Sequence, residues 1–127
     1  MTIRESGEMY LETLYILSLK TQNVRSVDVG TYMGYSKPSV SRAIGLLKKD
    51  GFINMDGQGY LTLTAEGEKR AKAIYERHQL LSQLFVNIGV DEETALEDAC
   101  RIEHYISEKT FEAIKKHVKE YGNKNNN

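Results

Sequence analysis

Cysteine is almost missing from this chain, with Cys100 the only one in 127 residues. A single thiol closes no internal disulfide, which excludes a disulfide-stapled domain and fits a reducing compartment. No stretch approaches the roughly 20 apolar residues that a membrane-spanning helix needs. The opening MTIRESGEMYLETLYIL mixes acids and bases where a secretory leader needs an unbroken apolar segment. A soluble, cytoplasmic protein is therefore expected. Net charge is only −1, so no overall positive field favours nucleic acid. There is no internal repeat, and histidine is limited to His78, His104 and His117.

What the chain does have is enough apolar sequence, 40%, for a real core in one domain or two small ones. Its charge is also segregated. From Ser36 to Lys49 the only charged residues are Lys37, Arg42, Lys48 and Lys49. From Gly89 to Asp98 they are Asp91, Glu92, Glu93, Glu97 and Asp98. One region is thus suited to a polyanion and the other is not.

Apolar spacing predicts an amphipathic helix over 5–20, with Glu8 and Glu12 near its start. Ser26 is expected to cap a short helix that ends at Gly34. Pro38 suits the first turn of the next helix, whose buried face is Val40, Ala43, Ile44 and Leu47, and Asp50-Gly51 stops it. FINM and YLTLT flank DGQG and predict a β-hairpin. Thr64 caps a long helix to Ile88, where Gly67 is expected to cost a little stability. Asp91 caps a helix to about Ser107, and Ser107 caps a last one to about Tyr121.

That order predicts a mainly α protein: an N-terminal winged helix-turn-helix over 1–64 and a C-terminal helical dimerisation domain over 65–121, with a flexible tail at 122–127. Leu80, Leu81, Leu84, Phe85, Val86 and Ile88 exceed what one helix needs for its own core, which favours pairing of two copies. The basic cluster falls on the third helix, where a DNA-reading helix belongs. A small helical bundle with a solvated basic face is the plainer alternative.

Cys100, Glu103 and His104 stand at positions i, i+3 and i+4 of the predicted 91–107 helix, so they share a face. Thiolate, carboxylate and imidazole aimed at one spot suit a transition metal. A lone cysteine is also often just a small buried hydrophobe, and Glu-His pairs are common on solvated helices. His78 adds weight, because an antiparallel return at NIGVDE brings it level with Glu103. His117, within KKHVKE, reads as a surface residue.

Taken together, EMYLETLYIL, KPSVSRAIGLLKKDGFI, YLTLTAEGEKRA, RHQLLSQLFVNIGVDEE and EDACRIEHYIS resemble segments of the diphtheria-toxin-repressor and manganese-transport-regulator family of metal-dependent transcriptional repressors. The likeness runs in order from about Glu8 to Glu120. It implies a primary regulatory site of Met9, Cys100, Glu103 and His104, and a second site using His78 and Glu12. Ser82 and Leu96 stand where iron-type members complete that second site, and neither can replace a carboxylate or imidazole. The SH3-like domain of longer members is not expected here.

The resemblance also implies a repressor that binds a double-stranded, palindromic operator as a homodimer, with a divalent metal as corepressor. The soft Met9–Cys100 pair favours Fe2+, with Mn2+ next because of Glu12; Co2+, Ni2+ and Zn2+ should bind in vitro. Ser36, Pro38, Ser39, Ser41 and Arg42 are expected at base edges or neighbouring phosphates, with Arg42 reading guanine where the family often has Gln. Lys37, Lys48, Lys49 and Arg25 are expected on phosphates, and Gln58 on the wing. Three rivals remain: a metal-independent winged-helix regulator sensing another ligand, a small metalloenzyme, and a purely structural zinc site, which Met9 on the first helix makes less natural. The second finds no separate general base or substrate loop in the sequence, and no enzymatic activity is expected.

Overall fold

The computed structural model describes residues 5–121, so the expected tail at 122–127 lies outside the described residues. The elements are α1 (Glu5–Lys20), α2 (Ser26–Met33), α3 (Lys37–Lys49), β1 (Ile53–Met55), β2 (Leu61–Leu63), α4 (Ala65–Asn87), α5 (Glu92–Ile102) and α6 (Glu108–Tyr121). They fall into two compact units, one ending at Ala73 and the other starting at Ile74. No described helix is long and apolar enough to cross a membrane.

The first unit is a winged helix-turn-helix. Tyr10, Leu11 and Leu14 recur along one face of α1 and meet Val29 of α2 and Val40, Ile44 and Leu47 of α3 in a shared core. Phe52, Ile53, Leu61 and Ala71 close it from the hairpin and the start of α4. Leu11 and Leu14 are fully buried, so truncating either to alanine should cost about 2–5 kcal/mol. The turn between α2 and α3 depends on Gly34, whose φ of 73° is left-handed and closes α2. The strands pair antiparallel, with Ile53 opposite Leu63 and Met55 opposite Leu61. At the tip, an Asp56 carboxylate oxygen accepts the N–H groups of Gln58 and Tyr60, both at 2.9 Å.

Two local expectations are corrected here. Ser26 is not the cap of α2 but its first helical residue. Arg25 takes the cap position, and its backbone N–H donates to the Asp28 carboxylate at 2.9 Å. An acid three residues into the helix reaches back to that amide, so no hydroxyl is needed. Gly67, read as a small cost, is a requirement of packing. A Cβ there would sit 2.0 Å from the carbonyl oxygen of Phe52. Thr64 joins the same corner, donating its hydroxyl to the Gly51 carbonyl at 2.6 Å and accepting from the Gly67 N–H at 3.1 Å.

In the second unit, Ile74 and Leu81 of α4, Ala95 and Ala99 of α5 and Phe111 of α6 are buried. Gly89 turns the chain after α4, with the Val90 N–H returning to the Phe85 carbonyl at 2.9 Å. Asp91 and Ser107 cap α5 and α6, accepting from the N–H groups of Thr94 (3.0 Å) and Thr110 (3.1 Å). Of the apolar surplus noted over 80–88, Leu81 is core, whereas Val86 at the end of α4 and Ile88 just beyond it are exposed. The helix predicted to reach Ser107 stops at Ile102, and a turn follows. Arg77 of α4 donates to the Glu103 and Ile106 carbonyls of that turn, and Ser107 already caps the next helix.

Candidate metal centre and nucleic-acid interface

The second unit gathers His78, Cys100 and Glu103, with one potential ligand atom from each lying within 4.8 Å of the others. α4 delivers His78, the last turn of α5 delivers Cys100, and Glu103 and His104 follow in the turn beyond it. Glu103 is entirely buried. One of its carboxylate oxygens lies 2.8 Å from His78 Nδ1 and the other 3.2 Å from His104 Nε2. A carboxylate without solvent access and between two imidazoles needs positive charge nearby. Protons on the rings can supply it, and so can a cation. His78 shows the first solution. Cys100, and after it Glu103, raise its pKa to about 10, against the lowering effect of burial.

Cys100 is exposed, so it is not the small core residue that a lone cysteine often is. Thiolate, carboxylate and two imidazoles are a donor set that fits a divalent transition metal. A metal ligand must be deprotonated, so binding at His78 would release its proton. Met9 and Glu12 belong to the first unit, one helical turn apart on α1. Met9 is partly exposed and Glu12 is buried. The Ser82 hydroxyl is buried without a hydrogen-bond partner among the described residues, and Leu96 is exposed. His117 lies exposed on α6, as expected of a surface residue.

The DNA-facing expectations concern the first unit. Ser36 caps α3, accepting from the Ser39 N–H at 3.4 Å and donating to the Ser39 hydroxyl at 3.0 Å. The turn that begins the helix is thereby fixed. Lys37, Pro38, Ser41, Arg42, Lys48 and Lys49 are exposed along α3, Ser39 is partly buried, and Gln58 is exposed on the wing. Lys48 and Lys49 also oppose the negative end of the helix dipole. The base of the wing is pinned to the segment before α2: Arg25 bridges Tyr60, and the Leu61 N–H donates to the Val24 carbonyl at 2.7 Å.

Three residues escaped the sequence reading. Tyr60 lies beneath the Arg25 guanidinium, 4.7 Å from it. Tyr35 receives Tyr10 edge-on, with ring centroids 6.0 Å apart. Arg77, next to His78, reaches the turn that carries Glu103. Each pairing joins residues far apart in sequence, and no local periodicity marks it.

Two family descriptions match the chain. One is the iron-dependent repressor N-terminal DNA-binding domain, over residues 2–61. The other is the iron-dependent repressor metal-binding and dimerisation domain, over residues 64–124. The transcriptional regulator MntR of Escherichia coli O6:H1 is 35% identical over 121 residues, covering 95% of this chain and 78% of its own length. The iron-dependent repressor IdeR of Mycobacterium leprae is 32% identical over 105 residues, 82% of this chain and 46% of its own. Among solved structures, that of the manganese regulator SloR superposes with a TM-score of 0.79 at 26% identity, covering 94% of this chain and 55% of that one. These relatives bear the names of regulators, not of enzymes.

Proposed function

Because the chain belongs to the diphtheria-toxin-repressor and manganese-transport-regulator family of metal-dependent transcriptional repressors, we propose that a divalent metal at the Cys100–Glu103–His104 cluster is its corepressor. The observation that carries this reading is the wholly buried Glu103 carboxylate, held between His78 and His104 with the Cys100 thiol beside it. Met9 would complete the primary site, and His78 with Glu12 would serve a second. When bound, the ion supplies the charge that the buried carboxylate lacks. The sulfur donors favour Fe2+ first and Mn2+ next.

The chain's own residues supply the output. Tyr10 stands between Met9 and Glu12 on α1 and packs edge-on against Tyr35, which immediately precedes the Ser36 cap of α3. A restraint on α1 therefore bears on the start of the recognition helix. Arg42 reads a base edge, while Lys37, Lys48, Lys49 and Arg25 hold phosphates. Two copies acting as a homodimer would present paired α3 helices to successive major grooves about 34 Å apart, which calls for a palindromic operator. The protein would act in the cytoplasm.

The test is a DNA-binding titration on duplexes selected from a random library. It uses anaerobic Fe2+, Mn2+, Zn2+ or chelator, with wild type, Met9→Ala and Cys100→Ala. Metal should tighten binding by about 5–150-fold, the usual range of coupling between two sites, and Cys100→Ala should lose that gain. Equal affinity with metal and with chelator would return the protein to the metal-independent class of winged-helix regulators.

A further inference from the structure

We propose that Arg77 is the positioning residue of the metal-binding turn, an inference that rests on the metal reading above. α5 ends at Ile102 with Glu103 as its C-cap, whose N–H donates to the Ala99 carbonyl at 2.9 Å, so from His104 onward no continuing helix orients the chain. Within the turn, the N–H groups of Tyr105 and Ile106 both return to the Ile102 carbonyl at 2.9 Å. The turn's outward carbonyls are taken by Arg77. Nη1 donates to the Glu103 carbonyl at 3.3 Å and to the Ile106 carbonyl at 3.4 Å, which fastens the turn at both ends.

The guanidinium is fixed in turn. It lies over the Phe111 ring of α6, 5.3 Å from the centroid, and its partly buried side chain springs from α4 one residue before His78. The helix that brings the imidazole to the cluster thus also holds the carbonyl of the residue that brings the carboxylate. A guanidinium suits this task because it is planar, always charged and rich in donors. Lysine carries the charge and three donors but has no planar group to stack on the Phe111 ring while it donates. Arg77 is argued to act through Glu103 and His104, without contact to the ion.

The experiment is a titration with Co2+ of wild type, Arg77→Met and Arg77→Lys, following the thiolate-to-cobalt absorption that Cys100 would give. Unfolding of each metal-free protein is measured alongside. Arg77→Met keeps an unbranched apolar stem but has no donor. Its Co2+ affinity should fall about 10–100-fold, the usual effect of losing a group that orients metal ligands, and its absorption band should shift or weaken. Arg77→Lys should recover part of both. If Arg77→Met binds Co2+ within about threefold of wild type with the same spectrum, the positioning role is wrong, even where unfolding shows it to be less stable. That outcome would leave the metal site itself standing. Wild type that gives no thiolate absorption with Co2+ would sink the metal reading and this inference together.

Discussion

Glu103→Gln changes one buried atom's chemistry and almost nothing of its shape, so it isolates what the carboxylate charge does. Glu103 has no solvent exposure, and its oxygens stand 2.8 Å from His78 and 3.2 Å from His104. A hydrogen bond to a charged group contributes about 1.5–3 kcal/mol, whereas a neutral one contributes about 0.5–1.5. The glutamine amide can still accept from the His78 ring but no longer brings a negative charge, so the metal-free protein should lose about 1–2 kcal/mol of stability. Metal binding should suffer more. Groups that merely orient ligands are worth about 10–100-fold in affinity, so loss of a charged ligand should cost at least about 100-fold, or about 2.8 kcal/mol. Co2+ titration by absorption gives the affinity, and the His78 ring resonances give its titration. His78 should move down toward the ordinary imidazole value without reaching it, because Cys100 is the larger cause of its raised pKa. If Glu103→Gln binds Co2+ within about threefold of wild type and leaves His78 titrating unchanged, the carboxylate is not the charge at the centre of the site.

Gly67→Ala should destabilise the first unit by about 3 kcal/mol, the upper end of overpacking costs, because its Cβ would meet the Phe52 carbonyl oxygen at 2.0 Å; denaturant melts that move by less than about 0.5 kcal/mol would refute this. His78 binds its proton more tightly when folded, with a pKa of about 10 against an ordinary 6.5. Its contribution to the stability of the metal-free protein is therefore full below about pH 6.5 and lost as pH rises toward 10. Melts of wild type and His78→Ala across that window should converge at the alkaline end. The same proton must leave before metal binds, so Co2+ affinity should weaken by at least about tenfold per unit as pH falls from 8 to 6, and a flat profile would contradict it. Arg42→Ala should relax sequence preference on selected duplexes, whereas Lys48→Ala should weaken all duplexes alike and reduce the salt slope by about one; identical behaviour of the two variants would remove the division between base and phosphate contacts.

The order of helices, the hairpin and the basic face of α3 were all legible in the sequence. They rest on signals only a few residues long, such as the Ser36 cap, Pro38 at the helix start, the DGQG tip and the spacing of Val40, Ile44 and Leu47. The nearness of His78 to Glu103 was legible too, since a turn between two helices fixes which residues lie level. The site residues proposed from family likeness, Met9 and Glu12 above all, could not have been found from periodicity.

Tertiary structure decided the rest. α5 ends at Glu103, its C-cap, and the turn that follows is held by Arg77 of α4, which also lies over Phe111 of α6. Gly67 reads as a weakness until Phe52 is folded against it. Arg25 takes the cap that local pattern assigns to Ser26, and lies over a tyrosine from the wing. A residue's neighbours within four positions determine its helical period and its caps. Whether a carbonyl, a ring or a carboxylate approaches from many positions away depends on the closed fold, and the chemistry of this site is set by that approach.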